Sequence, residues 1–408
     1  METTVAAVYC DGWDDGVVNP LTPDQAEARD SAGEPYSVVL LAGGRPHTVL
    51  DISWAEGYCA ATRYDGQGRR IAVHELRRAR EGDLFLREST SWAGADGAGP
   101  KEFSHLAARH RISWQIGGRR NDSIEPAGDR GGRHTFSDTG FTPPRLPIPA
   151  FGRWKALLDS VARVHAEACV MPFSEVCAVP HAVDGPFRIA DADHHDLPVR
   201  TSPQRPWHPP RPLRPRGLDT LFRDGAERTV GERRMRISTH PAGKLNLPSG
   251  RLVAADPSSL DYGEEPFLTT VPPGPYPVTI SLATFTDDPG HSRVAAVRLD
   301  ITDRRPARWE LALRDGQDLL DLGYGEFFGF GVDAGLACFV DEDNRERLTG
   351  EWQSLELRDP RFAVIAGGDM IAWSSGWGDG SYPTWVGRDH SDRITTFIAD
   401  MLLFPSED

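Results

Sequence analysis

The chain has no apolar run as long as the roughly 18 residues that a membrane-spanning helix needs. Its start, Met1 to Cys10, lacks the basic stretch and long apolar stretch of a secretory signal. The cysteines form no Cys-x-x-Cys pair and are typical of small buried apolar residues in a reducing compartment. They are Cys10, Cys59, Cys169, Cys177 and Cys338. These absences predict a soluble, cytoplasmic protein with no membrane partner.

Positive charge is also scarce. The 408 residues carry 45 Lys and Arg against 60 Asp and Glu, a net charge of −15. Such a chain repels nucleic acid, so we expect no nucleic-acid partner. The remaining partners are another protein or a small polar ligand, and an acidic surface favours a basic protein.

The motifs of several enzyme classes are missing. There is no Gly-x-Ser-x-Gly, no Walker loop, no His-Glu-x-x-His and no Gly-x-Gly-x-x-Gly after a strand. No cofactor is evident. A serine nucleophile at Ser374 or Ser375, with His390 or His291 as base, is disfavoured because no orienting group can be recognised.

The 33 prolines and 41 glycines favour turns and short strands over long helices. Residues 1–190 are predicted to be a β-rich α+β domain with one or two helices, one beginning at Pro23 after the N-cap Thr22 and one at Trp154. Gly94–Pro100 and Asn121–Arg133 are predicted loops. Short β-branched and aromatic runs between Gly turns predict the strands. These are Val5–Cys10, Ser37–Ala42, His47–Trp54, Tyr58–Tyr64, Arg69–Leu76, Asp83–Arg87 and Arg111–Ile116.

Frequent prolines in residues 191–217 predict a semi-rigid linker, since proline fixes φ and removes a donor. The linker begins with five residues of metal-ligand type: Asp191, Asp193, His194, His195 and Asp196. Adjacent histidines in an extended chain point in opposite directions, so a solvated linker is the favoured interpretation.

Residues 218–408 are predicted to form an all-β domain, an antiparallel sandwich or a barrel-like module. Tyr276–Phe285, Arg293–Thr302 and Arg308–Leu313 alternate apolar and polar residues and are joined by short polar turns, which predicts a three-strand meander. No alternation of strands and helices suggests a parallel sheet. Further strands are predicted at Phe327–Val332, Ala337–Val340, Phe362–Ala366, Ala372–Ser375, Pro383–Val386 and Ile394–Ala399.

Three segments of this half are rich in Gly, Asp and Trp: Leu247–Pro257, Gly329–Asp341 and Ser374–Pro383. With the Leu-Pro-Ser-Gly-Arg, Val-Pro-Pro-Gly-Pro-Tyr-Pro-Val and Trp309-Glu310-Leu-Ala pieces, they resemble the bacterial family called domain of unknown function 4241, from about Leu247 to Met401. The resemblance implies a shared fold and a site near the Asp and Gly-Trp loops. It implies no reaction.

The best candidate site is the loop Gly376–Pro383. Glycine permits a tight loop, Asp379 can accept backbone N–H bonds or bind a hard cation, and tryptophan offers a flat apolar surface. The alternative is that Asp379 only satisfies its own loop. The predicted binding residues are Trp377, Asp379, Trp373, Tyr382 and Asp333.

Asp333, Asp341 and Asp379 are weak candidates for a metal site. Asp333 and Asp341 would lie about 26 Å apart in an extended strand and could share an ion only if the chain turns at Gly335. The run from Asp341 lacks the glycine and final glutamate of an EF-hand. Separately, the turn at Gly12–Gly16 repeats the Gly-Trp-x-Asp-Gly pattern of Gly376–Gly380.

Two functions follow. The first is a binding or interaction module, with an immunity or regulatory role by class analogy. The second is a hydrolase or lyase in which Asp333 and Asp379, with Glu326 or Glu310, carry out acid–base chemistry, with or without a divalent ion.

Overall fold

The computed structural model describes residues 3–93, 108–125, 134–168, 187–194, 197–262, 264–354, 357 and 361–404. The chain forms two compact units. One is Met1–Pro210 with Asp318–Asp321, and the other is Arg211–Gln317 with Leu322–Asp408. The boundary falls inside the segment predicted as a linker. No helix in the described ranges is long and apolar enough to cross a membrane.

The first unit is built on one large sheet. Its strands are β1 (Thr3–Trp13), β2 (Val17–Leu21), β3 (Tyr36–Ala42), β4 (Arg45–Ser53), β5 (Tyr58–Tyr64), β6 (Arg70–Arg78), β7 (Leu84–Ala93), β8 (Ala108–Trp114), β9 (Arg119–Glu125), β10 (His134–Thr139), β11 (Arg145–Leu146), β12 (Phe187–Asp191) and β13 (Val199–Arg200). The order is β10-β9-β8-β7-β6-β5-β4-β3-β1-β2-β13, with β11 on β7 and β12 on β1. All pairs are antiparallel except β1–β12 and β2–β13. Consecutive strands pair from β3 to β10, and between β3 and β7 short connections join them.

The two helices predicted for the first unit are present. Helix α1 (Pro23–Ala32) begins after Thr22, whose side chain accepts from the Gln25 N–H while the Gln25 side chain accepts from the Thr22 N–H. Helix α2 (Trp154–Ala168) buries Trp154, Leu157 and Val161 against the sheet. The apolar stripe read from the sequence is therefore the face that packs.

One predicted loop was partly wrong. Asn121–Glu125 lies in β9 and pairs with both β8 and β10, although its polar side chains gave no strand pattern. Half-exposed strands near a sheet edge do not need the apolar alternation on which the prediction depended. Gly94–Pro100, and residues 126–133 of the second predicted loop, lie outside the described residues.

The proline-rich segment is more ordered than a free linker. Asp191 belongs to β12 and accepts a 2.8 Å bond from the Tyr9 hydroxyl, and Val199–Arg200 pairs with β2. The Trp207 indole N–H lies 2.8 Å from Ser37 Oγ and 3.0 Å from the Asp11 carbonyl. A Cβ on Gly12 would lie only 2.3 Å from Pro206 Cγ, so this glycine lets the segment approach β1.

The second unit contains two sheets. Its strands are β14 (Glu227–Val230), β15 (Arg233–Leu247), β16 (Leu252–Ala255), β17 (Gly274–Phe285), β18 (Asp288–Asp300), β19 (Arg308–Leu311), β20 (Gly329–Val332), β21 (Leu336–Asp341), β22 (Phe362–Ile365), β23 (Met370–Ser374), β24 (Gly380–Arg388) and β25 (Ile394–Asp400). The larger sheet has the order β14-β15-β17-β18-β25-β24-β19, with β20 on β24, and the smaller has the order β16-β21-β23-β22. Short helices α3 (Leu218–Leu221) and α4 (Arg345–Leu348) complete the unit.

The main core of this unit joins side chains of both sheets. Ile280, Leu299 and Phe397 of the larger sheet share a buried cluster with Phe339 and Trp373 of the smaller one. This arrangement is the predicted antiparallel sandwich, and together the two units confirm the β-rich α+β class.

The predicted three-strand meander was wrong at its third strand. β17 and β18 pair as expected, but β18 then pairs with β25, and β19 pairs with β24. The last two strands of the chain insert between β18 and β19. A short connection makes pairing of neighbours easy, but it does not exclude pairing with distant strands that bury more apolar surface.

We predict that Trp207 holds the segment 197–210 on the first sheet. Its ring stacks on Tyr58 at 6.0 Å and its N–H reaches Ser37, so Trp207→Ala removes a ring contact and a hydrogen bond together. The free energy of local opening should fall by about 1.5 kcal/mol. This corresponds to roughly tenfold faster tryptic cleavage after Arg200. Limited proteolysis followed by mass spectrometry measures this rate.

Trp377→Ala is the matched control for Trp207→Ala, because it removes an exposed tryptophan of the second unit. Trp207→Phe keeps a ring over Tyr58 without the N–H donor and should fall between the wild type and Trp207→Ala. Equal cleavage rates in wild type and Trp207→Ala would show that the segment is held by other contacts.

Candidate functional site

A buried carboxylate, Asp256, organises the region of the Gly-rich loops. It follows β16 and is 2% exposed. Its Oδ2 accepts the backbone N–H groups of Asp333 and Ala334, each at 2.8 Å, and its Oδ1 accepts the Ser258 N–H at 2.7 Å. Burial alone would raise the pKa of Asp256, but these hydrogen bonds lower it below the ordinary value for an aspartate.

The loop 333–335 in turn holds the loop 375–380. The Gly335 carbonyl accepts the Ser375 N–H at 3.0 Å, and the Gly335 N–H donates to Asp379 Oδ1 at 3.1 Å. The Asp379 carboxylate therefore binds a neighbouring loop. In the alternative interpretation of the sequence, it would bind only groups of its own loop. Its side chain is otherwise at the surface.

Hydrogen bonds inside the loop 375–380 converge on one carbonyl. The Gly378 carbonyl accepts the Ser375 hydroxyl at 2.8 Å and the Tyr382 hydroxyl at 2.7 Å. Gly376 has a φ of +26°, and a Cβ there would lie 2.9 Å from the Met401 carbonyl oxygen. The loop is therefore ordered on both sides of Trp377.

Trp377 is the one predicted tryptophan that reaches the surface, with 51% of its side chain exposed. Its ring lies 6.4 Å from the ring of buried Phe285. The Arg293 guanidinium carbon lies 5.7 Å from the indole centroid, within the range of a cation–π contact.

The other predicted aromatic residues are buried. Trp373 has no exposed surface and packs edge-on against Phe339 at 4.8 Å, so the structure places it in the core. Tyr382 is 5% exposed and supports the loop through its hydroxyl. Both lie behind the surface, whereas the prediction placed them on it.

The structure separates Asp341 from the other two aspartates. The chain turns at Gly335, and Asp341 lies five residues beyond Leu336 in β21, a distance of about 17 Å. Its buried carboxylate accepts from Ser249 N and Oγ and from the Asp343 N–H, so it caps local turns. Among the described residues, no group of three or more His, Cys, Asp or Glu side chains could hold a metal ion.

The acid–base alternative names four carboxylates, and two of them, Glu310 and Glu326, are engaged in other contacts. Exposed Asp333 and Asp379 lie on adjoining loops, but Glu310 pairs with Arg308 and Arg388, and Glu326 accepts the Gly323 N–H. Ser375 is 2% exposed, and its hydroxyl donates to the Gly378 carbonyl. His291 lies 4.8 Å from the ring of Phe285, and His390 is exposed.

The repeated Gly-Trp-x-Asp-Gly pattern marks two different environments. At Gly12–Gly16 the glycines make room for the proline-rich segment, since Pro206 packs on Gly12 and Pro198 on Gly16. At Gly376–Gly380 the tryptophan is exposed. The first turn is therefore a packing site. The two turns are alike in sequence but differ in their surroundings.

These features define a class: a β-sandwich unit with an exposed tryptophan on a loop that a buried aspartate orders. Residues 245–365 and 359–399 match the family described as protein of unknown function (DUF4241), which confirms the resemblance seen in the sequence. The match includes Asp256 and both loops. No curated protein matches the chain.

We predict that Asp256→Asn destabilises the second unit by about 1–3 kcal/mol near neutral pH, because an amide cannot accept all three N–H bonds. Because the pKa of Asp256 is lowered on folding, its contribution is present above the unfolded pKa of about 4 and is lost as pH falls below it. The difference between wild type and variant should shrink below about pH 4. Urea unfolding across this range measures it.

Asp261→Asn is the matched control for Asp256→Asn, because Asp261 is exposed on the same turn that follows β16. It should leave the unfolding midpoint unchanged. An Asp256→Asn variant as stable as wild type near neutral pH would contradict the role given to this carboxylate.

Proposed function

We propose that this protein is a binding module whose second unit recognises a partner through the surface centred on Trp377. The observation that supports this most is the exposure of that side chain, 51%, on a loop whose backbone is hydrogen-bonded on both sides. Tryptophan is among the residues that most often dominate binding free energy.

The order of the loop supports recognition. Ser375, Gly378 and Asp379 are already bound to neighbouring groups. A loop fixed in this way loses little conformational freedom when a partner arrives, and more of the contact energy is kept as affinity.

The setting of Trp377 also supports a flat, apolar contact. Phe285 lies beneath it with 4% of its surface exposed, and Arg293 lies beside it. An apolar centre with polar groups at its edge is the usual arrangement of an interface. The fitting partner is another protein or a small polar ligand with an apolar face.

The proposal extends to the setting of the protein. Three cysteines that the structure describes, Cys10, Cys59 and Cys338, are buried free thiols whose pKa is raised by burial. Unpaired thiols suit a reducing cytosol. An immunity or regulatory role in a bacterial cytosol fits a binding module, by analogy of class.

The test is capture of partners by the tagged full-length chain, with mass spectrometry of whatever co-purifies. Trp377→Ala should lose the partner, with affinity of the purified pair reduced about thirtyfold or more, which is 2 kcal/mol. Tyr262→Ala removes an aromatic residue that is 84% exposed and should have no effect. A partner kept equally by wild type and Trp377→Ala would contradict the proposed surface.

A further inference from the structure

Two arginines contact Ser292, and one of them, Arg293, lies beside Trp377. Arg293 donates from Nη1 to the Ser292 carbonyl at 3.1 Å, and Arg361 donates from Nε to the Ser292 hydroxyl at 3.3 Å. Both side chains are half-buried. Burial and the positive charge of Arg361 lower the pKa of Arg293, as expected when two like charges share a site.

Arg293 and Arg361 have no acidic partner in the part of the chain that the structure describes, although the whole chain carries a net charge of −15. In the described ranges, neither Arg293 nor Arg361 forms an ion pair with a carboxylate. Other arginines of the second unit do pair with acids: Arg233 with Asp287, Arg298 with Asp300, Arg314 with Glu264, Arg345 with Glu342, Arg347 with Asp369, and Arg388 with Glu310. The half-buried pair therefore has guanidinium donors that no described carboxylate occupies.

We propose that Arg293 and Arg361 bind a carboxylate of an acidic peptide segment whose apolar residue covers Trp377. The inference rests on the proposed function and gives the chemistry of its partner. A guanidinium presents N–H donors in a planar fork that matches carboxylate oxygens, and two of them can hold both oxygens of one group. The anion would also relieve the repulsion within the pair.

This local charge differs from the expectation drawn from the whole chain. A net charge of −15 favours a basic partner at long range, but a group that touches Trp377 meets the positive charge of Arg293, and Arg361 contacts the neighbouring Ser292. The same net charge opposes a nucleic acid, whose closely spaced phosphates repel the rest of the surface. A short peptide with one or two acidic residues places its charge only where the arginines lie.

The test uses the full-length chain and a fluorescein-labelled eight-residue peptide with two Glu residues, each next to Phe or Leu, compared with the same peptide carrying Gln for Glu. The acidic peptide should bind more tightly, by about tenfold. Arg293→Gln combined with Arg361→Gln should remove this preference, and salt at about 1 M should reduce it. Arg305→Gln is the control, because Arg305 is exposed and lines a different cleft.

Thermal unfolding separates binding from a structural role. In Arg293→Gln the loss of repulsion offsets the loss of the Ser292 and Trp377 contacts, so the melting temperature should change little, whereas a mainly structural pair would give a clearly lower one. Equal binding of the Glu and Gln peptides would overturn the inference. So would inorganic phosphate that displaces the acidic peptide at an equal or lower concentration, since the site would then prefer phosphate.

The failure of this inference can be told from failure of the proposed function. If the captured partner is lost by Trp377→Ala but kept by the double arginine variant, the surface is right and its chemistry is wrong. If Trp377→Ala also keeps the partner, the proposed function and this inference are both contradicted.

Discussion

The carboxylate of Asp256 is the constraint on which the candidate site depends. It is a charged group with 2% exposure, and such a group is stable only when its oxygens accept hydrogen bonds. It meets this need with backbone N–H groups of Asp333 and Ala334. The loop that carries these donors then binds Ser375 and Asp379 through Gly335. The order of the loop that carries Trp377 is thus linked, through Gly335, to the buried carboxylate that follows β16.

Much of the fold could be predicted from local signals. Thr22 and Pro23 predict the start of a helix, and the apolar stripe from Trp154 predicts an amphipathic helix. Runs in which apolar and polar residues alternate predict strands. Which strands pair is a non-local matter, so β24 and β25 could not be placed between β18 and β19. The fifteen-residue strand β15 escaped detection because its pattern breaks at a bulge between Pro241 and Lys244.

The candidate site could also be predicted only in part, because its local signals are clear and its non-local contacts are not. The Gly-Trp-Gly-Asp-Gly run signals an ordered loop, but nothing local tells that Trp377 is exposed while Trp373 lies in the core. Asp256 gave one usable signal, an Asp-Pro after a strand of four buried residues, which is typical of a cap on a following turn. Arg293 and Arg361 gave none, because Arg293 lies in β18 and Arg361 in the turn before β22, far apart in the sequence, and both contact Ser292.

The most direct measurement is amide hydrogen exchange in wild type and Asp256→Asn. If Asp256 orders both loops, exchange should quicken at Asp333 and Ala334 and also at Gly335, Ser375 and Gly378, whose N–H groups it does not touch. The strand β25 should stay protected in both proteins. Faster exchange confined to Asp333 and Ala334 would contradict the account, since the loop that carries Trp377 would then hold its shape without Asp256.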